Sequence, residues 1–165
     1  MEHPARKPNR LTGYDYSTTG AYFVTLCTQN RKKIISNIVG GGAHDAPNVA
    51  LTDIGKIVEV HIVNSNRIPG ITIDKFVIMP VHIHLIILVD ENAVNGTSRA
   101  PSPTNAVIPH LVSTFKRFCH RDVGEKIFQR SYYDHVIRNQ QDYDEIWHYI
   151  ENNPRKWLLD QKGKE

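Results

Sequence analysis

Cysteine is scarce in this chain: Cys27 and Cys119 are the only two among 165 residues. Each sits in an apolar segment without CxxC spacing, which excludes a disulfide scaffold and a cysteine zinc site. A reducing, cytoplasmic location is the expectation. No stretch approaches the roughly 20 apolar residues of a membrane span, so no membrane partner is expected. The leader from Met1 to Arg10 lacks the apolar core of a secretory signal. Charge of either sign is also not in large excess, with a net charge of +3 and a pI near 8.9. That is a mild bias toward polyanions. There is no internal repeat, and the length fits one domain spanning 1–165 with a sizeable core.

What is present is a clear alternation of strand and helix signals. Tyr22 to Thr28 is an alternating, β-rich run. Gly40-Gly41-Gly42 to Asn48 reads as a flexible loop, either the tip of an irregular hairpin or an insertion. Ile54, Ile57, Val58, His61 and Ile62 recur at helical spacing, predicting a helix from about Thr52 to Asn66 with Thr52 as N-cap. Ile71 to Met79 and His82 to Val89 read as two strands joined by a tight turn at Pro80-Val81, because proline cannot donate to a central ladder. Residues 92–105 are rich in Ser, Thr, Pro, Asn and Gly and predict a mobile loop. Ile108 to Arg121 predicts a second helix and Ile127 to Ile137 a fourth strand. Asn139 to Asn153 predicts a last helix that stops before Pro154. The order predicts an α+β, ferredoxin-like (RRM-like) βαββαβ antiparallel sheet with helices on one face, followed by a C-terminal helix.

The chemistry concentrates in His82-Ile83-His84. Alternate strand residues share a face, so both imidazoles project together, which is half of a divalent-metal site. The alternative is a polar pair facing water from a half-exposed sheet. On the last helix the apolar stripe is Tyr143, Ile146, Trp147 and Ile150. Tyr149 falls on its flank, with Asn153 one turn further on the same side. A phenol there can act as a nucleophile, or it can be an ordinary boundary tyrosine. Tyr132 and Tyr133 are rival tyrosines that face opposite sides of a strand. Basic residues cluster at Arg6, Lys7 and Arg10, at Arg31-Lys32-Lys33, at Lys116, Arg117 and Arg121, and at Arg155 and Lys156. For any one cluster, solvated surface is the simpler reading.

Five segments then narrow the reading: GYDYSTTGAYFVTLCTQNR, FVIMPVHIHLIIL, STFKRF, FQRSYYDHVIRN and DYDEIWHYIENNPRKW. In order and spacing, from about Leu11 to Trp157, they resemble the REP-associated tyrosine transposases of the single-tyrosine HUH superfamily. That resemblance implies a tyrosine carried on the C-terminal helix behind a ferredoxin-like sheet. It implies His82, His84 and Asn153 as ligands of Mg²⁺ or Mn²⁺ and Tyr149 as nucleophile. The implied activity is that of a metal-dependent single-strand DNA endonuclease and strand transferase working through a 5′-phosphotyrosine. The implied partner is single-stranded or hairpin DNA, with Arg6, Lys7, Arg10, Arg31, Lys32, Lys33, Lys116, Arg117, Arg130 and Arg138 as candidate contacts. Either a homodimer or a monomer is compatible with it. One position departs from the family's usual MPNHxH: this chain has Val81 where Asn is common. Two rival functions stand beside the enzyme, a domesticated module that holds hairpin DNA or RNA without cutting, and a cyclic-phosphodiesterase-like hydrolase. The latter normally needs two separate histidine motifs, and this chain has one.

Overall fold

The computed structural model describes residues 19–42, 45–96 and 107–162. The elements run β1 (Gly20–Cys27), β2 (Ser36–Val39), β3 (Asn48–Leu51), α1 (Asp53–Asn64), β4 (Ile71–Met79), β5 (His82–Val89), α2 (Glu91–Gly96), α3 (Val107–Val123), β6 (Tyr133–Ile137) and α4 (Gln140–Lys162). Four strands form an antiparallel sheet in the order β4-β5-β1-β6, and β2 and β3 form a separate two-stranded ribbon. This is the α+β order expected from the sequence. The glycine-rich segment is the tip of that ribbon.

The near-continuous apolar character of β5 has a simple cause: both faces of its sheet are covered. On one face Tyr22, Val24 and Leu26 of β1 and Ile83, Leu85 and Ile87 of β5 pack against Val58 and Ile62 of α1 and Ile108, Leu111 and Phe115 of α3. On the other face Phe23 and Ile86 receive Ile150 of α4, flanked by Tyr143, Ile146 and Trp147. The helices therefore divide between two faces, with α1 and α3 on one and α4 on the other. Lys75 of β4 adds an electrostatic tie, its ammonium 3.7 Å from the Trp147 ring centroid and 3.9 Å from Glu151.

The start of α1 shows how local sequence sets position. Thr52 accepts a hydrogen bond from the Gly55 N–H at 3.0 Å and donates its hydroxyl to the Ile34 carbonyl at 2.7 Å. The cap thus also docks the helix on the preceding chain. Gly55 is required by that approach, since a Cβ there would lie 1.8 Å from the Ile35 carbonyl oxygen.

Three sequence expectations need correction. First, the last strand is Tyr133–Ile137, not Ile127–Ile137. Phe128 makes only an isolated bridge to Thr28. The carbonyls of Gln129, Arg130 and Ser131 instead accept from the Lys116 ammonium at 2.7, 3.0 and 3.3 Å, so their acceptors are satisfied outside a ladder. Second, α4 does not stop before Pro154 but runs through it to Lys162. Pro154 removes one helical donor, yet it is buried, and the half-buried Trp157 and Leu158 beyond it continue the packing. Third, the segment 92–105 opens as helix, in Glu91–Gly96, and its remainder from 97 lies outside the described residues. No helix among the described residues is long and apolar enough to cross a membrane, and both cysteines are free.

The Gly55→Ala substitution is expected to cost about 2 kcal/mol or more, because the added methyl must push α1 off the Ile35 backbone. A urea denaturation midpoint unchanged from wild type would refute that account of the α1 start.

Candidate active site

The turn that launches the histidine strand is fixed from the end of β1. The Thr28 N–H donates to the Val81 carbonyl at 2.9 Å, and the Thr28 hydroxyl proton lies between the carbonyls of Lys32 (2.8 Å) and Val81 (3.1 Å). The Val81 side chain is buried. An Asn side chain is therefore not what shapes this turn.

From there the register places His82 opposite Met79 and Cys27, and His84 opposite Val77 and Thr25. Both imidazoles face α4, with ring centroids 4.4 Å apart. His84 is buried, and its Nδ1 pairs with Thr25 Oγ1 at 2.7 Å. Its other nitrogen, Nε2, is buried without a hydrogen-bond partner. When Nδ1–H donates to Thr25, Nε2 carries a lone pair with nothing to accept, which is the form a metal-binding histidine takes. Burial, helped by the neighbouring His82, pushes the His84 pKa down to about 3. His82 is held below its ordinary value by burial and by the Arg31 charge, against the opposing hydrogen bond its Nε2 donates to the Asn153 side-chain oxygen. Both rings are thus kept neutral near pH 7.

Helix α4 brings the remaining groups. Asn139 caps it by accepting from the Asp142 N–H at 2.9 Å, and Asp142 in turn pairs with His135 of β6 at 2.9 Å. Tyr143 donates its hydroxyl to Asp74 of β4, and that hydrogen bond, with desolvation and the Asp74 charge, raises the phenol to about 12. With the helix thus anchored, Asn153 is buried and its Oδ1 lies 3.3 Å from His82 Nε2. Tyr149 presents its ring edge-on to His84, with centroids 5.3 Å apart, and to Phe23 at 6.2 Å. Phe23 stacks on His84 at 5.3 Å. His82, His84, Asn153 and Tyr149, the four residues singled out from sequence, therefore meet on one sheet face within a single chain.

The donor set is two imidazoles and an amide oxygen. Among the described residues no group of three or more His, Cys, Asp or Glu side chains is placed to hold a metal. The orphaned His84 Nε2 and the Asn153 oxygen facing His82 fit a divalent ion that takes its further ligands from outside the protein. For Mg²⁺ these would be oxygens.

The basic candidates separate. Arg31 lies close enough to act on His82, and the Lys33 ammonium stands 5.7 Å from the ring centroid of Trp157, itself 6.4 Å from His82. Lys32 is exposed between them. Lys116 is not an available contact. It is buried and spent on three carbonyls, and burial with the nearby Lys126 charge brings its pKa down to about 8. Arg117 and Arg130 line a cleft of about 490 Å³ on the α3 side, with Lys126 and Tyr132. Arg138 is exposed where β6 passes into α4. Arg6, Lys7 and Arg10 lie outside the described residues. Sequence reasoning missed Phe23, Thr25, Lys156 and Trp157 as parts of the site. The Lys156 ammonium stands 5.6 Å from the Tyr149 ring centroid. Its spacing of seven residues from Tyr149 is the signal, hidden when the helix is ended at Pro154.

No family model matches the sequence. An uncharacterized protein of Haemophilus influenzae strain Rd is 31% identical over 171 residues, covering 94% of this chain and 92% of that protein. A solved structure of a REP-associated tyrosine transposase bound to a REP hairpin matches with a TM-score of 0.57 at 21% identity, over 84% of this chain and 68% of the other. A Deinococcus radiodurans protein described as a candidate transposase matches at a TM-score of 0.43 and 16% identity, over 87% and 95% of the two chains, too distant to bear on the site.

The folded chain keeps His84 neutral down to about pH 3, whereas the unfolded chain protonates it near 6.5. Between those values the unfolded state binds more protons, so stability falls as pH drops below about 6.5. In His84→Phe this slope is expected to flatten. The wild type should lose on the order of 1–3 kcal/mol more than the variant between about pH 6.5 and 4.5, read from urea midpoints in EDTA. Parallel pH profiles would show that the ring is not held neutral.

Proposed function

The chain belongs to one family with the uncharacterized Haemophilus influenzae protein, and on its REP-associated tyrosine transposase-like fold we propose that it is a single-strand DNA endonuclease and strand transferase. The observation that carries this reading is the convergence of Tyr149 on the neutral His82–His84 pair, inside one chain. A strand nuclease of this kind needs a nucleophile, a way to neutralise one phosphate and a reason for water to be displaced. Each has a residue here.

Tyr149 is the nucleophile. The phenol oxygen of this exposed tyrosine attacks the phosphorus of a phosphodiester lying against the histidine face. The phenol gives up its proton as the new oxygen–phosphorus bond forms, the bond from phosphorus to the 3′-oxygen breaks, and that departing oxygen takes up a proton, leaving a 5′-phosphotyrosine and a free 3′-hydroxyl. Because the phosphoester bond is exchanged and not hydrolysed, the reverse attack by a 3′-hydroxyl rejoins DNA without a nucleotide cofactor. Phe23 holds the Tyr149 and His84 rings at fixed distances, which limits the reorientation needed for attack. Arg31, Lys32 and Lys33 lie on the His82 side and Lys156 over Tyr149, so phosphates entering the site meet positive charge at both ends.

His82, His84 and Asn153 would hold Mg²⁺ or Mn²⁺. When bound, such an ion supplies Lewis-acid polarisation of the scissile phosphate. Thr25 orients His84 for that role by engaging Nδ1. The substrate we assign is single-stranded DNA beside a hairpin, with Arg6, Lys7, Arg10, Arg117, Arg130 and Arg138 as contacts to the stem and flanks. With DNA as its substrate, the cytoplasm is the location we assign. A monomer suffices for the chemistry, since one chain supplies all four groups.

A labelled DNA hairpin with a single-stranded arm, incubated with the protein and Mn²⁺, should yield a covalent adduct that survives denaturation. Tyr149→Phe should abolish it, and His84→Ala or EDTA should reduce it by roughly a hundredfold or more. Hairpin binding without any adduct would make the protein a holding module, and an adduct that persists in Tyr149→Phe would place the nucleophile elsewhere.

A further inference from the structure

Among the described residues two aromatic side chains of the Phe, Tyr and Trp class are exposed, Tyr133 at 51% and Tyr149 at 42%. They are not scattered. Each stands edge-on to Phe23, Tyr133 at 6.3 Å and Tyr149 at 6.2 Å between ring centroids. Tyr133 is also in register with Thr25, which is in register with His84, so all three occupy one cross-strand row on the histidine face. Tyr149 is accounted for by the proposed chemistry. Tyr133 is not.

An exposed tyrosine on an edge strand is by itself ordinary surface. Two observations set this one apart. The preceding residue, Tyr132, packs partly buried against the opposite core, so the same strand start buries one tyrosine and leaves the other in water. The exposed ring is also mounted on β6 with its edge against Phe23, the same ring that stacks on His84. An aromatic face held rigidly beside a phosphate site is what unpaired bases stack on, largely irrespective of sequence.

We infer that Tyr133 is a positioning residue: a stacking platform for an unpaired nucleobase adjoining the phosphate that Tyr149 attacks. The inference rests on the proposed strand-nuclease reading. The ligand class is single-stranded nucleic acid, held by base stacking on Tyr133 while its neighbouring phosphate lies at the histidine pair. A duplex at this point is disfavoured, because its bases are already stacked on one another and offer no free face.

The test uses the full chain and a DNA hairpin whose single-stranded arm carries 2-aminopurine at one position at a time. In the wild type, fluorescence should be quenched at the one or two positions flanking the cleaved phosphate. Tyr133→Phe should keep both the quench and the affinity, because the ring remains. Tyr133→Leu should lose the quench and bind the arm roughly tenfold more weakly, with an unchanged urea midpoint showing that β6 is intact. Retention of quench and affinity in Tyr133→Leu would overturn the inference while a Tyr149-dependent adduct left the nuclease reading standing. Mapping the DNA adduct to Tyr133 by peptide mass spectrometry would overturn it as well, by making this residue the nucleophile. A wild-type chain that binds no hairpin DNA would end both.

Discussion

Everything at the site hangs on the seating of Ile150 between Phe23 and Ile86. Ile150 is fully buried there, a contribution of about 1.5–3 kcal/mol by area. It is the contact that decides which surface of α4 meets the sheet. With Ile150 down, Tyr149 falls on the flank beside His84 and Asn153 falls over His82. Two ties to β4 on the N-terminal side of that pivot, Tyr143 to Asp74 and Lys75 to Trp147, fix the rotation of the helix. The functional constellation is a by-product of apolar packing, with polar groups placed where the packing leaves them.

The same burial sets the electrostatics. A histidine pair on an open sheet face would titrate near its ordinary value. Covered by α4 and backed by Phe23, the pair loses water on both sides, and each positive charge would oppose the other. Two neutral imidazoles are the result, one of them, His84, with a ring nitrogen left without a partner. The conflict this creates is visible in His84 Nε2, a buried nitrogen without a partner, and it is confined to the place where the chain is asked to meet a ligand.

Much of this was readable from the residues. The period-two spacing of His82 and His84, the turn at Pro80-Val81 and the stripe Tyr143–Ile146–Trp147–Ile150 specify the sheet face, the hairpin and the buried side of the last helix. What escaped were features settled by distant contacts. Pro154 argues locally for a helix end, but packing of Trp157 and Leu158 carries α4 onward, and that placed Lys156 beside Tyr149. Lys116 looked like one more surface cation, yet the carbonyls of Gln129 to Ser131, left without strand partners, draw it inward. The same three carbonyls lie just before the late start of the last strand, so one misread segment accounts for both departures. Tyr132 and Tyr133 could be assigned to opposite faces from alternation alone, but not to which.

The Thr28 clamp carries a consequence for how this fold can drift. Because a backbone amide and a hydroxyl from the neighbouring strand grip the Val81 carbonyl, the bend is dictated from outside the bend itself. The side chain at that corner is thereby released from any conformational duty and can be chosen for greasiness alone. A lineage could exchange the polar corner residue for an aliphatic one and leave the imidazoles undisturbed, so long as the clamping threonine stayed.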